Sequence, residues 1–247
     1  MNKGKHVRFS NAYEDSKRAA AYSTLKFDKT YYLAFRDLPQ IIQEYVSGKK
    51  ALDFGCGTGR STRFLSSLGF TTTGIDISKE MIQIAQQLDP TGTYILINDK
   101  DMSCLSESSY DLILSAFTFD NIPTAKRKIR LFKNLGKLLT HNGAIINLVS
   151  SPEIYTHEWA SFTTKDFPEN KKAKTGDIVR IITTDISDSR PCYDIFWSEA
   201  DYKKIYKQTN LCIITSYKPL ATGAEPYQWI TETKIAPWTI YVLKKKA

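Results

Sequence analysis

The fold of this chain can be predicted from the stretch Ala51-Leu52-Asp53-Phe54-Gly55-Cys56-Gly57-Thr58-Gly59-Arg60. A short apolar run ends in an acid, and three glycines follow at every second position. Phe64, Leu65 and Leu68 then have the spacing that places apolar side chains on one face of a helix. The pattern predicts a strand, a tight turn and a helix. Glycine suits such a turn because it adopts positive φ and lets a ligand approach the bare backbone.

The spacing of the glycines separates several kinds of binding turn. A P-loop requires G-x-x-x-x-G-K-[ST], and no lysine stands at the required place. The dinucleotide fingerprint is G-x-G-x-x-G, whereas the glycines here stand at positions 55, 57 and 59. Asp53 would repel a pyrophosphate, but it suits a ligand with a positive end, such as an α-amino group. The stretch resembles motif I of class I S-adenosylmethionine (SAM) dependent methyltransferases, which reads acid-x-Gly-x-Gly-x-Gly.

A second acid, Asp76, agrees with this resemblance. It follows the apolar and β-branched run that starts at Phe70, about twenty residues beyond the glycine turn, which is where Rossmann-type folds place the acid that holds ribose hydroxyls. A carboxylate offers two acceptor oxygens to two neighbouring hydroxyls. Ser78 is expected to cap the next helix, with Met81 on its apolar face. Taken alone, Asp76 fits a capping or turn role equally well, and its pairing with motif I favours the cofactor.

The first fifty residues have a helical pattern that stops at Ser47-Gly48. Methyltransferases of the resembled family often fold such a segment over the cofactor as a lid. The resemblance therefore makes Tyr22, Tyr31 and Arg36 candidates for the methionine end of SAM, where an arginine would pair with the carboxylate. The alternative for each tyrosine is a half-buried packing role with a hydrated hydroxyl.

Two acids follow the third predicted strand, residues 94–97. In the resembled family an acid at this strand end faces the adenine amino group, and an apolar neighbour covers the ring. Asp101 with Met102 matches the family's acid-apolar pair, whereas Asp99 matches by its distance to the next strand. We favour Asp101, and the sequence leaves both open.

The fourth predicted strand, residues 109–115, leads to Ala116-Phe117-Thr118-Phe119-Asp120-Asn121. Open α/β sheets bind ligands outside the carboxyl ends of their strands. Phe119 and Asn121 are therefore expected near the methyl acceptor, and Asp120 is the candidate base if the acceptor carries a proton. Capping of the next helix is the alternative role of Asp120. The [DN]-P-P-[YF] signature of enzymes that methylate amino groups of nucleic acids would fall here and is absent.

The remaining elements complete an α/β fold. A basic amphipathic helix is predicted from Arg127 to Leu139, ended by His141-Asn142-Gly143, and a buried strand follows at residues 144–149. The alternation of strands and helices predicts a Rossmann-like, doubly wound parallel sheet. By the resemblance it has seven strands and closes with an antiparallel hairpin, here residues 212–217 and 238–243.

We expect one domain, residues 1–247, in four parts: a lid at 1–50, a SAM-binding core at 51–150, a substrate-cap insertion at 151–197, and a last helix with the hairpin at 198–247. The insertion is too long for a bare loop, and it contains strand-like runs at 178–184 and 192–197. The long segment 219–237 either returns to the rim of the site or packs as a surface loop.

Composition limits the classes of function. The 247 residues suit one large domain, and 34 Lys and Arg against 26 Asp and Glu give a net charge of +8. Such a surplus is compatible with nucleic acid, but we favour a solvated surface and expect no nucleic acid or membrane partner. The four scattered cysteines indicate reduced thiols in a cytoplasmic protein without a metal site. Monomer and homodimer both remain open.

The sequence therefore predicts methyl transfer from SAM to a nitrogen, oxygen, sulfur or carbon atom of a small molecule, with S-adenosylhomocysteine (SAH) as product. An RNA methyltransferase and a non-catalytic SAM-binding regulatory protein are the alternatives. The cofactor residues that we expect are Tyr22, Tyr31, Arg36, Asp53, Gly55, Cys56, Gly57, Gly59, Asp76, Ile77, Met81, Asp101, Met102, Ala116 and Phe117. The substrate residues that we expect are Phe119, Asn121, Tyr155, His157, Trp159 and Trp197.

Overall fold

The computed structural model describes residues 15–98 and 101–246. The helices of this part are α1 (Ser16–Ser23), α2 (Thr30–Phe35), α3 (Leu38–Tyr45), α4 (Arg60–Ser67), α5 (Lys79–Leu88), α6 (Ala125–Leu138) and α7 (Glu199–Lys207). The strands are β1 (Lys50–Phe54), β2 (Thr71–Asp76), β3 (Thr93–Leu96), β4 (Tyr110–Ala116), β5 (Leu139–Ser150), β6 (Phe162–Thr163), β7 (Ile178–Thr183), β8 (Cys192–Ile195), β9 (Leu211–Tyr217) and β10 (Trp238–Lys245). Short 3-10 helices cover Thr118–Asn121, Pro152–Tyr155 and Pro168–Lys172. None of the helices described has the length and apolar character needed to span a bilayer.

The main sheet of the described chain has seven strands in the order β3-β2-β1-β4-β5-β10-β9. The first five are parallel, whereas β10 is antiparallel to both β5 and β9. This confirms the predicted Rossmann-like sheet and its antiparallel C-terminal hairpin. The strand order reverses between β1 and β4, and the glycine turn follows β1. The turn therefore stands at the switch point where open α/β sheets bind ligands.

Helices cover both faces of this sheet, so each face has its own core. Successive residues of a strand point to opposite faces. Ala51 accordingly packs in the cluster that contains Leu65 of α4, and Leu52 packs in the cluster that contains Leu131 and Phe132 of α6. Burial on both faces explains why β1 reads as a nearly continuous apolar run.

The chain between β5 and α7 forms a second sheet, which is antiparallel and has the order β6-β7-β8. The strand-like runs at 178–184 and 192–197 are observed as β7 and β8. Strand β8 packs against the 3-10 helix Thr118–Asn121, which follows β4. The insertion therefore lies over the binding edge of the main sheet, and its role as a substrate cap stays a prediction.

The predicted end of the basic helix is wrong. Helix α6 stops at Leu138, and β5 begins at Leu139 and runs through His141-Asn142-Gly143. Leu139 has an extended backbone (φ −65°, ψ 143°), so the chain leaves the helix without a glycine cap. Gly143 serves close packing instead, because a Cβ there would lie 2.9 Å from the backbone oxygen of Tyr110.

Candidate active site

Three glycines with left-handed backbone form the turn after β1. Gly55, Gly57 and Gly59 have φ of 73°, 54° and 82°, a conformation that few other residues tolerate. A Cβ on Gly55 would lie 2.2 Å from Thr118 Oγ1, whereas a Cβ on Gly57 would meet only Met81 Sδ, at 3.9 Å. The first glycine is therefore required for close packing, and the second leaves open space beside the backbone.

Asp76 holds this turn against the start of α5. Its Oδ2 accepts a hydrogen bond from the Gly57 N–H at 2.9 Å, and its Oδ1 accepts one from the Ser78 N–H at 2.8 Å. Burial raises the pKa of the Asp76 carboxyl above its ordinary value. Each carboxylate oxygen has a second acceptor position. Each oxygen of Asp76 can therefore accept one more hydrogen bond, for example from a ribose hydroxyl.

Asp53 lies under the turn rather than in the cavity wall. It is completely buried, and its Oδ2 accepts bonds from Ser61 Oγ at 2.7 Å and Thr62 Oγ1 at 2.6 Å. Its Oδ1 has no hydrogen-bond partner among the described residues. Burial raises the pKa of this carboxyl to about 6. Asp53 thus fixes the first turn of α4 to β1. Its side chain does not line the cavity in which a ligand would bind.

One cavity of about 710 Å³ extends from the glycine turn to the insertion. Its volume falls within the roughly 300–1,000 Å³ of small-molecule sites. The sequence-predicted residues that line it are Tyr22, Tyr31, Gly55, Cys56, Gly57, Asp76, Ile77, Met81, Ala116, Phe117, Asp120, Asn121 and Tyr155. In the described chain, no group of three or more His, Cys, Asp or Glu side chains is placed to hold a metal ion.

The other predicted site residues lie outside the cavity wall: Arg36, Asp53, Gly59, Asp101, Met102, Phe119, His157, Trp159 and Trp197. Gly59 completes the turn and precedes α4. The structure therefore separates the predicted residues that line the cavity from those that lie outside its wall.

Arg60, rather than Arg36, brings a cation to the lid side of the cavity. The Arg36 guanidinium is engaged by Asp37, at 2.7 Å, and by Glu225, at 3.1 Å. The Arg60 guanidinium lies 4.8 Å from the centroid of the Tyr31 ring and lines the cavity. The sequence carried a signal for Arg60, since it directly follows the third glycine and begins α4.

Asp101, the one of the two acids expected at the adenine that the structure describes, does not line the cavity. Asp101 is exposed, and its Oδ1 accepts the Ser103 N–H at 2.9 Å, which lowers the pKa of its carboxyl. Met102 packs in the core of the main sheet. Asp99 lies outside the described residues. Ile97, directly after β3, lines the cavity at this strand end instead.

Four of the expected substrate residues do not line the cavity. Phe119 is completely buried and stacks on Phe132, with ring centroids 3.9 Å apart. Trp159 is buried and donates its indole N–H to the Ile154 carbonyl at 2.9 Å. His157 Nδ1 lies 3.1 Å from the Glu153 carbonyl oxygen. Trp197 is buried too. These aromatic side chains therefore act in packing.

A charged cluster at the insertion end of the cavity was missed in the sequence. Asp120 and Asp194 line the cavity, and Lys128 is completely buried beside them. The Lys128 ammonium lies over the ring of Trp197, 4.8 Å from its centroid. Burial lowers the pKa of Lys128 and raises the pKa of both carboxyls. Lys128 lies three residues before Leu131 on the apolar face of α6, which is a signal that the sequence did carry.

The segment 219–237 packs against the lid and the insertion instead of lining the cavity. Glu232 is completely buried and accepts bonds from Thr30 Oγ1 at 2.6 Å and the Ala160 N–H at 2.7 Å. Its other oxygen accepts the N–H groups of Ile230 and Thr231. One carboxylate thus joins α2, the insertion and this segment.

Comparison with known proteins identifies the class. Residues 52–147 match the family model described as a methyltransferase domain. An uncharacterised methyltransferase of Bacillus licheniformis is 32% identical over 140 residues, which cover 56% of this chain and 62% of that protein. A ubiquinone biosynthesis O-methyltransferase of Vibrio parahaemolyticus is 32% identical over 87 residues, 34% of this chain and 37% of that protein. The chain thus spans less than two thirds of the length of these relatives.

Comparison with solved structures agrees with the methyltransferase match. The crystal structure of a SAM-dependent methyltransferase from Clostridium acetobutylicum superposes with a TM-score of 0.64 at 17% identity, covering 96% of this chain and 100% of that one. That likeness concerns the fold. Residues 52–147 therefore match a methyltransferase domain, and the fold around them is that of SAM-dependent methyltransferases, which supports the class I SAM-dependent kind. The cofactor implied by this class is SAM.

Proposed function

We propose that this chain transfers a methyl group from SAM to a small-molecule acceptor and releases SAH. The observation that carries the proposal is one continuous cavity that joins the glycine turn and Asp76 to β7 and β8 of the insertion. Donor and acceptor can therefore meet in one enclosed space, which aligns them and excludes water.

The four free thiols agree with the reducing cytosol that we infer as the compartment.

The residues at the turn end fit the cofactor. The unused acceptor positions of Asp76 suit the ribose hydroxyls, and the open space beside Gly57 suits close approach to the backbone. The Arg60 guanidinium suits a carboxylate on the lid side. When bound, SAM supplies an electrophilic methyl group on a sulfonium. The protein's task is then to place a nucleophile in line and to remove a proton where the acceptor carries one.

The insertion end of the cavity suits a small, largely apolar acceptor. Ile178, Ile181 and Ile195 of the second sheet line it, together with Phe117 at the end of β4. Asp120 is the residue of this end that we assign as proton acceptor, because it is buried and stands where β4 ends. The relative from Vibrio parahaemolyticus is by its name an enzyme of ubiquinone biosynthesis, and this supports a small-molecule acceptor here.

The experiment measures SAH release with two classes of acceptor. Purified protein and SAM are incubated with the ultrafiltered low-molecular-weight fraction of a cell extract, or with total RNA from the same extract. We expect release with the first fraction, unchanged after ribonuclease treatment. Release that occurs only with RNA and disappears after ribonuclease treatment would overturn the small-molecule proposal and favour the RNA methyltransferase instead.

A further inference from the structure

Two carboxyl groups from distant parts of the chain meet at the insertion end of the cavity. Asp120 follows β4, and Asp194 lies in β8. The Ser150 N–H donates to Asp120 Oδ2 at 3.0 Å, and the Tyr155 hydroxyl donates to Asp194 Oδ2 at 3.1 Å. The side chains of Ser150 and Tyr202 also stabilise the ionised Asp120 carboxyl. Both carboxyl groups are thus held in place, and each carboxylate has further acceptor positions.

The cluster has two acids and one base. Lys128 is the cation that acts on both carboxyl groups, and the charge of Asp120 acts on Asp194. The Lys128 ammonium donates to the Phe119 carbonyl oxygen and lies 3.4 Å from the Tyr202 hydroxyl. When all three groups are ionised, one negative charge is not balanced. A buried charge without a counterion is costly, so the cluster favours either a proton or a second cation.

The neighbouring tyrosines and the Cys192 thiol do not supply that second charge. The pKa values of Tyr155 and Tyr202 are raised by burial, and burial raises that of the Cys192 thiol to about 11, so all three are neutral near pH 7. Arg127 is a further cation of the cavity wall, and Lys128 is the cation that acts on both carboxyl groups.

From this arrangement we propose that the methyl acceptor is an apolar amine, whose ammonium group binds between Asp120 and Asp194 and whose nitrogen receives the methyl group. The ligand supplies the missing cation, and its apolar part contacts Ile178, Ile181 and Ile195 of the insertion. This inference rests on the proposed function, because it names the acceptor of that same site. Asp194 thereby becomes a specificity residue that comes from the insertion rather than from the core.

The transfer balances in two steps. The ammonium R–NH3+ first gives a proton to one carboxylate of the pair, which leaves R–NH2 with a free electron pair and a neutral carboxylic acid. That electron pair then forms the C–N bond as the C–S bond of the sulfonium breaks. The products are R–NH2+–CH3 and neutral SAH. The pair is suited to the first step because burial raises the pKa of both carboxyl groups.

The test compares amines with alcohols of the same skeleton. Phenethylamine, benzylamine and hexylamine, each paired with the corresponding alcohol, are titrated by calorimetry into the SAH-saturated protein. The variants are Asp194→Asn and, as a matched control, Asp166→Asn, which changes an exposed acid of the same insertion outside the cavity wall. SAH affinity is measured first for all three proteins.

We expect at least one amine to bind about tenfold or more tightly than its alcohol, because a charge-assisted bond replaces a neutral one. Asp194→Asn should abolish most of that preference, and Asp166→Asn should keep it. The preference for the amine should grow as pH rises through the pKa values of Asp120 and Asp194, because the ammonium group replaces a proton that this pair of carboxyl groups holds at lower pH. Equal binding of every amine and its alcohol, or a preference that survives Asp194→Asn, would overturn the inference. Failure of SAH to bind the wild-type protein would instead refute the proposed function.

Discussion

Asp76→Ala removes the carboxylate that the cofactor assignment depends on. The unused acceptor position on each oxygen fits one ribose hydroxyl, and a hydrogen bond to a charged group contributes about 1.5–3 kcal/mol. Two such bonds give about 3–6 kcal/mol, and about 1.4 kcal/mol corresponds to a tenfold change in affinity. The variant also releases the Gly57 and Ser78 N–H groups. We therefore expect SAH binding to weaken by roughly a hundredfold or more.

Isothermal titration calorimetry with SAH measures this loss. Glu107→Ala is the control, because Glu107 is an exposed acid outside the cavity wall. Asp76→Asn should give an intermediate affinity, since the amide keeps one acceptor oxygen. Far-UV circular dichroism establishes that the variants are folded. An Asp76→Ala protein that is folded and binds SAH as tightly as the control would refute the assignment of Asp76 to the ribose.

Three further predictions concern the walls of the site, and urea denaturation measures each. Gly55→Ala should destabilise the fold more than Gly223→Ala, because both glycines have positive φ but only at Gly55 would the Cβ collide with a neighbour. Glu232→Ala should cost about 3–5 kcal/mol, since it leaves Thr30 and several backbone N–H groups without their buried acceptor, and a loss below about 1 kcal/mol would contradict this role. Burial raises the pKa of Asp53 to about 6 in the folded protein, compared with about 4 in the unfolded chain. The contribution of the protonated carboxyl to the free energy of unfolding is therefore complete below pH 4 and is lost as pH rises through 6. The stability of Asp53→Asn relative to wild type should therefore increase between pH 4 and pH 6, and a constant difference would contradict the burial argument.

The core of the fold was predictable because its signals are local. Strand β1, the glycine turn and α4 occupy one continuous stretch, and the left-handed φ values of Gly55, Gly57 and Gly59 follow from the need for a tight turn. Asp76 was predictable for the same reason, since its distance from the turn along the chain is set by one helix and one strand. The end of α6 was not, because the pairing of β5 with β4 overrides the glycine signal at position 143.

The acceptor end depends on contacts between segments that are far apart in the chain. Asp120 and Asp194 meet only because the insertion folds back over the end of β4. The choice between Arg36 and Arg60 depends in the same way on Glu225, which pairs with Arg36 from the segment before β10. No local pattern encodes that partner. The burial of Lys128 was predictable from the sequence, because helical periodicity alone places this residue on the buried face of α6.

A thermal-shift titration of the wild-type protein with SAH and, side by side, with NADH tests whether the glycine turn and Asp76 bind a methyl-donor cofactor. A ligand that binds only the folded state raises the melting temperature by mass action. We expect a rise in melting temperature that depends on SAH concentration and no shift with NADH. A shift with NADH, or none with SAH, would contradict the assignment of the glycine turn and Asp76 to a methyl-donor cofactor.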